Sequence, residues 1–240
     1  MQICRKNQIM GALAKAPFAA VITVTLVMGV AVSAALAAPK PAEKAAVLQG
    51  GTVSTANVRQ AEIEAGNAVA DAVRLSAGAD IGIVPAAAFK PGASAPKPAT
   101  GAQLADLLEP ATDQVVTLSL RGAQVLAALE RSVSFAPQPS AGFLQVSGIR
   151  FTYDSRKDSG KRVAAATLDG KPLDAVKVYK VATTRPLANG QQGYFQIWEK
   201  DQIDKGSGGK TLADALGELA RARGGTVTPA IDGRITSVGH

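Results

Sequence analysis

Cysteine and histidine are almost missing from this chain: it has one of each in 240 residues, Cys4 near the start and His240 at the end. That excludes a Cys-His pair and a Ser-His-Asp triad from any folded interior. Zinc and di-iron hydrolase centres fall with them, because such centres gather several imidazole and carboxylate ligands on one point. The scattered acids permit a hard-cation site made only of oxygens, but no spacing favours one over solvated surface acids. Aromatic residues are 4% of the chain, so no ring-studded basic patch is available for single-stranded nucleic acid. One cysteine forms no internal disulfide, and stability must come from burial. No cofactor is expected.

What is present begins with a targeting signal. Arg5, Lys6 and Lys15 precede an uncharged, largely apolar run from Ala16 to Ala35, and Ala35-Leu-Ala37 fits a small-x-small cleavage site. Residues 1–37 therefore read as a Sec-type export signal, which places the mature protein in the periplasm or outside the cell. An uncleaved membrane anchor is the alternative, since the run is about as long as a short span. Cleavage before Ala38 removes those three cations and takes the net charge from +7 to +4. Such a mild balance is weak support for a nucleic-acid partner.

Residues 38–56, rich in Ala, Pro and Lys, read as a tether. Residues 57–238 are long enough for one domain with a core of its own. Glu62 to Ser76 has helical spacing, and Asp80 to Val84 is a short buried strand. Ala86 to Ala99 reads as a loop. Thr100-Gly-Ala-Gln103 is a capping box, predicting a helix through Leu108 that Pro110 ends. Gln114–Leu120 predicts a strand and Gly122–Val133 a helix. Phe143–Val146, Arg150–Tyr153, Arg162–Leu168 and Val176–Thr183 are strand candidates, with Asp169-Gly170 as a hairpin between the last two. Thr211 to Ala222 predicts a capped helix, and Ile231 to Val238 an edge strand. Helices and strands mix without strict alternation, so the expected class is α+β: a single domain of mixed sheet with packed helices.

Two local pairings invite a catalytic reading. Ser159-Gly-Lys161 and Ser207-Gly-Gly-Lys210 bring a hydroxyl near an amine, but both sit in polar, turn-like stretches. Gly206-Ser-Gly-Gly-Lys-Thr211 opens a helix as a phosphate loop does, yet it lacks the preceding buried strand and the glycine spacing. Surface turns are the better reading of all three. Tyr194, Phe195 and Trp198 are the one aromatic cluster, at a spacing that favours core over a stacking platform.

Phe143-Leu-Gln-Val-Ser-Gly-Ile-Arg-Phe-Thr-Tyr-Asp154 and Leu187-Ala-Asn-Gly-Gln-Gln-Gly-Tyr194 carry a resemblance. So do Glu62-Ile-Glu-Ala-Gly-Asn67, Ala79–Val84, Leu120–Leu126, Ala128–Ser134, Gly170–Leu173, Tyr179–Thr183 and Ile231–Ile235. In this order, over roughly residues 57 to 235, the set resembles the C-terminal, substrate-binding domain of 5'-nucleotidases, here without the metallophosphatase half that normally precedes it.

In that family two aromatic rings sandwich the base, an Asn-Gly-Gly-Gly-Ile-Arg loop holds phosphate and ribose, and an acidic residue takes the sugar hydroxyls. Position by position, the resemblance puts Pro85 in place of the loop Asn. Its glycines become Ala86, Ala87 and Ala88, and its Arg becomes Lys90. Ala111 and Pro186 replace the two rings. Asn189 keeps the Leu-Ala-Asn-Gly loop, Gln192 replaces the acid, and Arg59 matches an upstream Arg. Base stacking is worth about 1–3 kcal/mol per base, so losing two rings removes a factor of about 100 or more in affinity. Lys90 lacks the planar fork that grips phosphate.

The resemblance thus implies nucleotide catabolism and a hydrolase family, with the nucleotide-gripping groups replaced. The expected molecule holds a nucleotide or nucleoside-like ligand weakly, or pairs with a separate metallophosphatase chain, and does not catalyse alone. A rebuilt enzyme using Lys90, Arg59, Asn189 or Gln192 is one alternative. An interaction module at the cell surface, with no small ligand, is the other.

Overall fold

The computed structural model describes residues 50–238. The export signal, its cleavage site, most of the 38–56 stretch and His240 lie outside the described residues. Strand β1 (Gly51–Ser54) leads into helix α1 (Glu64–Ser76). Ala and Val fill the buried side of α1, with Glu64 in its first turn and Arg74 in its last, the sense that the helix dipole favours. Strand β2 (Ile81–Pro85) follows and is buried at every position, as a strand covered on both faces must be. Next come β3 (Ser94–Lys97), α2 (Gly101–Ala105), β4 (Gln114–Arg121) and α3 (Gly122–Ser132). Then follow β5 (Leu144–Ser147), β6 (Ile149–Tyr153), β7 (Val163–Leu168), β8 (Lys171–Pro172) and β9 (Val178–Thr184). The short α4 (Arg185–Ala188), β10 (Lys210–Thr211), α5 (Leu212–Ala222) and β11 (Ile235–Ser237) complete the order.

The strands form three sheets, so the α+β class holds. The central one runs β10-β4-β9-β2-β5; a smaller one runs β11-β6-β7-β8; β1 and β3 make a ribbon. In the central sheet β4 and β9 pair antiparallel over seven residues, while β9 and β2 lie parallel. Helix α1 packs onto β2 and β5 and against α5. The approach is close enough to require glycine. A Cβ on Gly66 would stand 2.1 Å from the Gln145 Oε1, and one on Gly82 2.6 Å from the Ala70 carbonyl. Gln145 itself is wholly buried and fully engaged: it accepts from the Ile63 N–H (3.2 Å) and donates to the Val58 and Ala61 carbonyls (3.2 and 2.8 Å).

The structure departs from the sequence expectations in four places. Residues 51–54, expected in the tether, form β1, which pairs with β3 inside the expected 86–99 loop. Pro96 fits there because a two-stranded ribbon leaves one edge of β3 without ladder partners. The helix opened by Thr100 has its capping box but stops at Ala105, giving way to tighter turns before Pro110. The expected edge strand 231–238 shortens to Ile235–Ser237, parallel to β6.

The fourth difference concerns pairing. Asp169 and Gly170 do make the tight turn, with φ of +51° and +76°, but the returning strand is β8, not β9. Residues 174–177 redirect the chain. The Asp174 carboxylate accepts from the Val176 N–H (2.9 Å), and the Gly122 and Ala123 N–H groups donate to the Lys177 and Ala175 carbonyls (2.8 and 2.9 Å). Docked on the start of α3, the chain enters the central sheet as β9.

A carboxylate joins the two ends of the described fold. Glu62, 8% exposed, accepts from the Asn67 side-chain amide (2.7 Å) and from the N–H groups of Asp232 and Ile235 (3.0 and 3.1 Å). Beside it, Arg234 donates to both Asp71 oxygens (2.6 and 3.1 Å), to Asp232 (2.8 Å) and to the Val146 carbonyl (3.1 Å). The Glu62–Asn67 and Ile231–Ile235 segments of the resemblance therefore staple the fold.

Candidate functional site

Neighbouring parallel strands create a crevice where they end together, because their connections leave in different directions. Here β2 ends at Pro85 and β9 at Thr184, and antiparallel β4 begins at the same end after Asp113. A cleft of about 200 Å³ opens there.

Three segments wall it. The first is the single helical turn Ala86–Ala88 after Pro85. Its amides are engaged internally: Ala86 donates to the Phe143 carbonyl (2.7 Å) and Ala87 to the Ala141 carbonyl (2.9 Å). The second is residues 109–113, where the Glu109 N–H donates to the Ala88 carbonyl (2.9 Å) and the Asp113 carbonyl accepts from Leu212 (2.9 Å). The third runs from Thr184 through α4 into the Gly190–Gly193 loop.

That loop is left-handed at three sites: Gly190 (φ +89°), Gln192 (+61°) and Gly193 (+84°). Gln192 is the costly one, since a side chain disfavours that region. Arg131 holds it, donating to the Gln192 carbonyl (2.6 Å) and to the Ser134 hydroxyl (2.8 Å) and stacking over Phe135 at 5.2 Å. Below the loop, Tyr194 is buried, donates to the Gly142 carbonyl (2.8 Å) and stacks on Trp198 at 5.1 Å. Burial pushes the Tyr194 phenol far above its usual range, despite the nearby Arg131 charge. Trp198 donates to the Ala188 carbonyl (3.1 Å). Tyr194 and Trp198 are thus core anchors, while Phe195 stands 63% exposed.

The positions named from sequence separate into two groups. Pro85, Pro186 and Gln192 converge on the cleft together with Ala87 and Ala88. Arg59, Lys90, Ala111 and Asn189 do not line it. Arg59 borders a shallow hollow with Phe89 and Pro139, and its carbonyl accepts from Ser140 (2.8 Å). Lys90 is exposed and donates to the Asp106 carbonyl (3.0 Å). Ala111 packs against the core, its carbonyl bound by Ala213 (3.0 Å). Asn189 borders a neighbouring hollow with Phe195 and Glu199.

The lining residues that the sequence did not point to are Glu109, Asp113, Thr184 and Gln191, with Pro110 and Leu187 between them. Asp113 is half-buried, and desolvation raises its pKa above the ordinary 3.8. Its only sequence signal was its place four residues after Glu109, across Pro110.

The motifs set aside from sequence are accounted for. The Gly206–Lys210 stretch borders a separate cleft of about 420 Å³, but Lys210 donates to the Ser76 carbonyl (3.2 Å) and to Glu218 (2.8 Å). Lys180 donates to the Ala77 carbonyl (2.8 Å), so both amines cap the end of α1. The Ser207 hydroxyl donates to the Asp204 carbonyl (2.7 Å). Ser159 and Lys161 are exposed. Among the described residues, no three of His, Cys, Asp and Glu come together as a metal site, and no helix is long and apolar enough to cross a membrane.

Comparison with known proteins places this geometry. The snake venom 5'-nucleotidase of Naja atra is 32% identical over 126 residues, which cover 49% of this chain and 23% of that protein. The 5'-nucleotidase of Mus musculus is 35% identical over 126 residues, again 49% of this chain and 21% of the relative. The chain thus spans less than a quarter of the length of these relatives. The crystal structure of a 5'-nucleotidase precursor from Thermus thermophilus superposes with a TM-score of 0.69 at 27% identity, over 78% of this chain and 38% of that one. The family described as 5'-nucleotidase, C-terminal domain matches residues 30–200, well over half of the sequence, and this chain belongs to it.

Proposed function

We propose that this chain is an exported binding domain that holds a nucleoside-sized molecule in the cleft between β2, β9 and residues 109–113, and that its own residues do not hydrolyse what they hold. One observation supports this above all. Pro85, Pro186 and Gln192 meet at one cleft, yet none of them is an aromatic ring, a cation or an acid. The place for a ligand is kept and the groups that would grip a nucleotide are exchanged. Composition supports the lack of catalysis: outside Cys4 and His240 the chain has no thiol or imidazole to activate water or bind a transition metal. A separate metallophosphatase chain is the partner that would complete a hydrolase.

Titrating isotope-labelled protein with adenosine tests the cleft. Shifts centred on Thr184, Gln191 and Gln192 are expected; shifts confined to other regions would refute it. Incubation with Mg, Mn, Co or Zn and nucleoside monophosphates or sugar nucleotides is expected to give no turnover. Hydrolysis that persists through repurification overturns the second half of the proposal. Export predicts a mature N-terminus at Ala38, readable by mass spectrometry.

A further inference from the structure

We infer that Glu109 and Asp113 set the charge preference of this cleft, against phosphorylated ligands and in favour of ammonium-bearing or uncharged ones of nucleoside size. The inference rests on the cleft being the binding site, as proposed above, and adds what that site selects.

The lining carries two carboxylates and no lysine or arginine. Each nearby cation is turned elsewhere. Lys90 reaches the Asp106 carbonyl, and Arg131 holds the far side of the Gln192 loop. Arg185 follows Thr184 directly, but its guanidinium donates to Gln114. The Ala86 and Ala87 amides, which would face an anion as free donors, are bound to the Phe143 and Ala141 carbonyls. A phosphate entering here meets neither a cation nor those amides, and it meets two negative charges.

Among the described residues neither Glu109 nor Asp113 forms an ion pair, unlike Glu64, Asp71, Asp154, Glu218 and Asp232. Asp113 is half-buried in the wall, with its backbone fixed by the bond from Leu212, while Glu109 is exposed at the rim on a backbone held to Ala88. Partial burial of an unpaired carboxylate is unfavourable by itself. A ligand ammonium relieves that cost, and the raised pKa of Asp113 records the desolvation that such a ligand would offset. Thr184, Gln191 and Gln192 supply neutral hydroxyl and amide groups for sugar hydroxyls.

The test uses three ligands that share one nucleoside and differ only at the 5' position: 5'-amino-5'-deoxyadenosine, adenosine and AMP. Affinities are read from chemical-shift titrations at low salt. The expected order is amine, then adenosine, then AMP, with each step about tenfold or more for two carboxylates acting through a partly solvated path. The Glu109→Gln/Asp113→Asn double variant is expected to compress that spread by about tenfold, and raising the salt compresses it in the wild type. AMP binding as tightly as adenosine or tighter overturns the charge preference while leaving the cleft as the site. If none of the three shifts Thr184, Gln191 or Gln192, the cleft reading fails and the inference falls with it. The wild-type series decides the matter even if the double variant does not fold.

Discussion

Replacing Pro186 with phenylalanine should restore part of a base clamp. Pro186 lies in the first turn of α4, where a backbone N–H has no helical partner, so the substitution adds a donor without breaking a bond. Its side chain is half-buried and lines the cleft, which leaves room for a ring to present a face. Stacking contributes about 1–3 kcal/mol per base, so the dissociation constant for adenosine should fall by about 5- to 150-fold. Ala111→Phe is the internal control. Ala111 is the position that the sequence resemblance sets against the other ring, but it packs against the core and does not line the cleft. A ring there overpacks, costing about 1–3 kcal/mol of stability, and gains no affinity. Calorimetric titration of both variants with adenosine, with thermal unfolding run in parallel, separates the two effects. If Pro186→Phe keeps its unfolding temperature and gains nothing, or if Ala111→Phe gains as much, the base does not sit in this cleft.

Arg234→Ala should destabilise by about 3 kcal/mol, the low end for breaking a largely buried pair, because Asp71 and Asp232 are left without it; a urea midpoint unchanged from wild type would contradict this. Arg131→Ala should cost about 1–2 kcal/mol and raise amide exchange at Tyr194 and Phe195 more than in β4 or β9, since it frees the Gln192 carbonyl. Asp113→Asn should be more stable than wild type at neutral pH. A carboxyl whose folded pKa is raised binds its proton more tightly when folded, so its penalty is full above that pKa and gone below the unfolded value of 3.8. The gain in unfolding temperature should therefore shrink as pH falls through the carboxylate range, and a gain that persists at pH of about 3 would show a different cause.

The central sheet and its helices were readable because their signals are local. Thr100 with Gln103 and Thr211 with Asp214 cap helices within four residues, and β2 announces itself as the short apolar run Ile81-Gly-Ile-Val84. The Asp169-Gly170 turn was equally local, but its partner strand was not. Pairing was decided by Ala175 and Lys177 meeting the start of α3, a contact between segments about fifty residues apart. The same division holds at the cleft. Family order led to Pro85, Pro186 and Gln192, which sit at strand and loop ends whose direction the sheet fixes. Lys90 and Asn189 were lost because a single tight turn before each swings the side chain elsewhere. Glu109 and Asp113 carried no pattern beyond flanking a helix end. Only the closing of residues 109–113 against the Ala86–Ala88 turn gives them a shared wall.

The Glu62 clasp has a mechanical consequence. It brings the start of α1 beside the strand that ends the described fold, so tension applied through both ends would load the two carboxylate hydrogen bonds from Asp232 and Ile235. The Asn67 bond to the Ala230 carbonyl and the Arg234–Asp71 pair link the same two segments and would share that load. A domain closed this way could be carried within a longer polypeptide with its two ends held side by side.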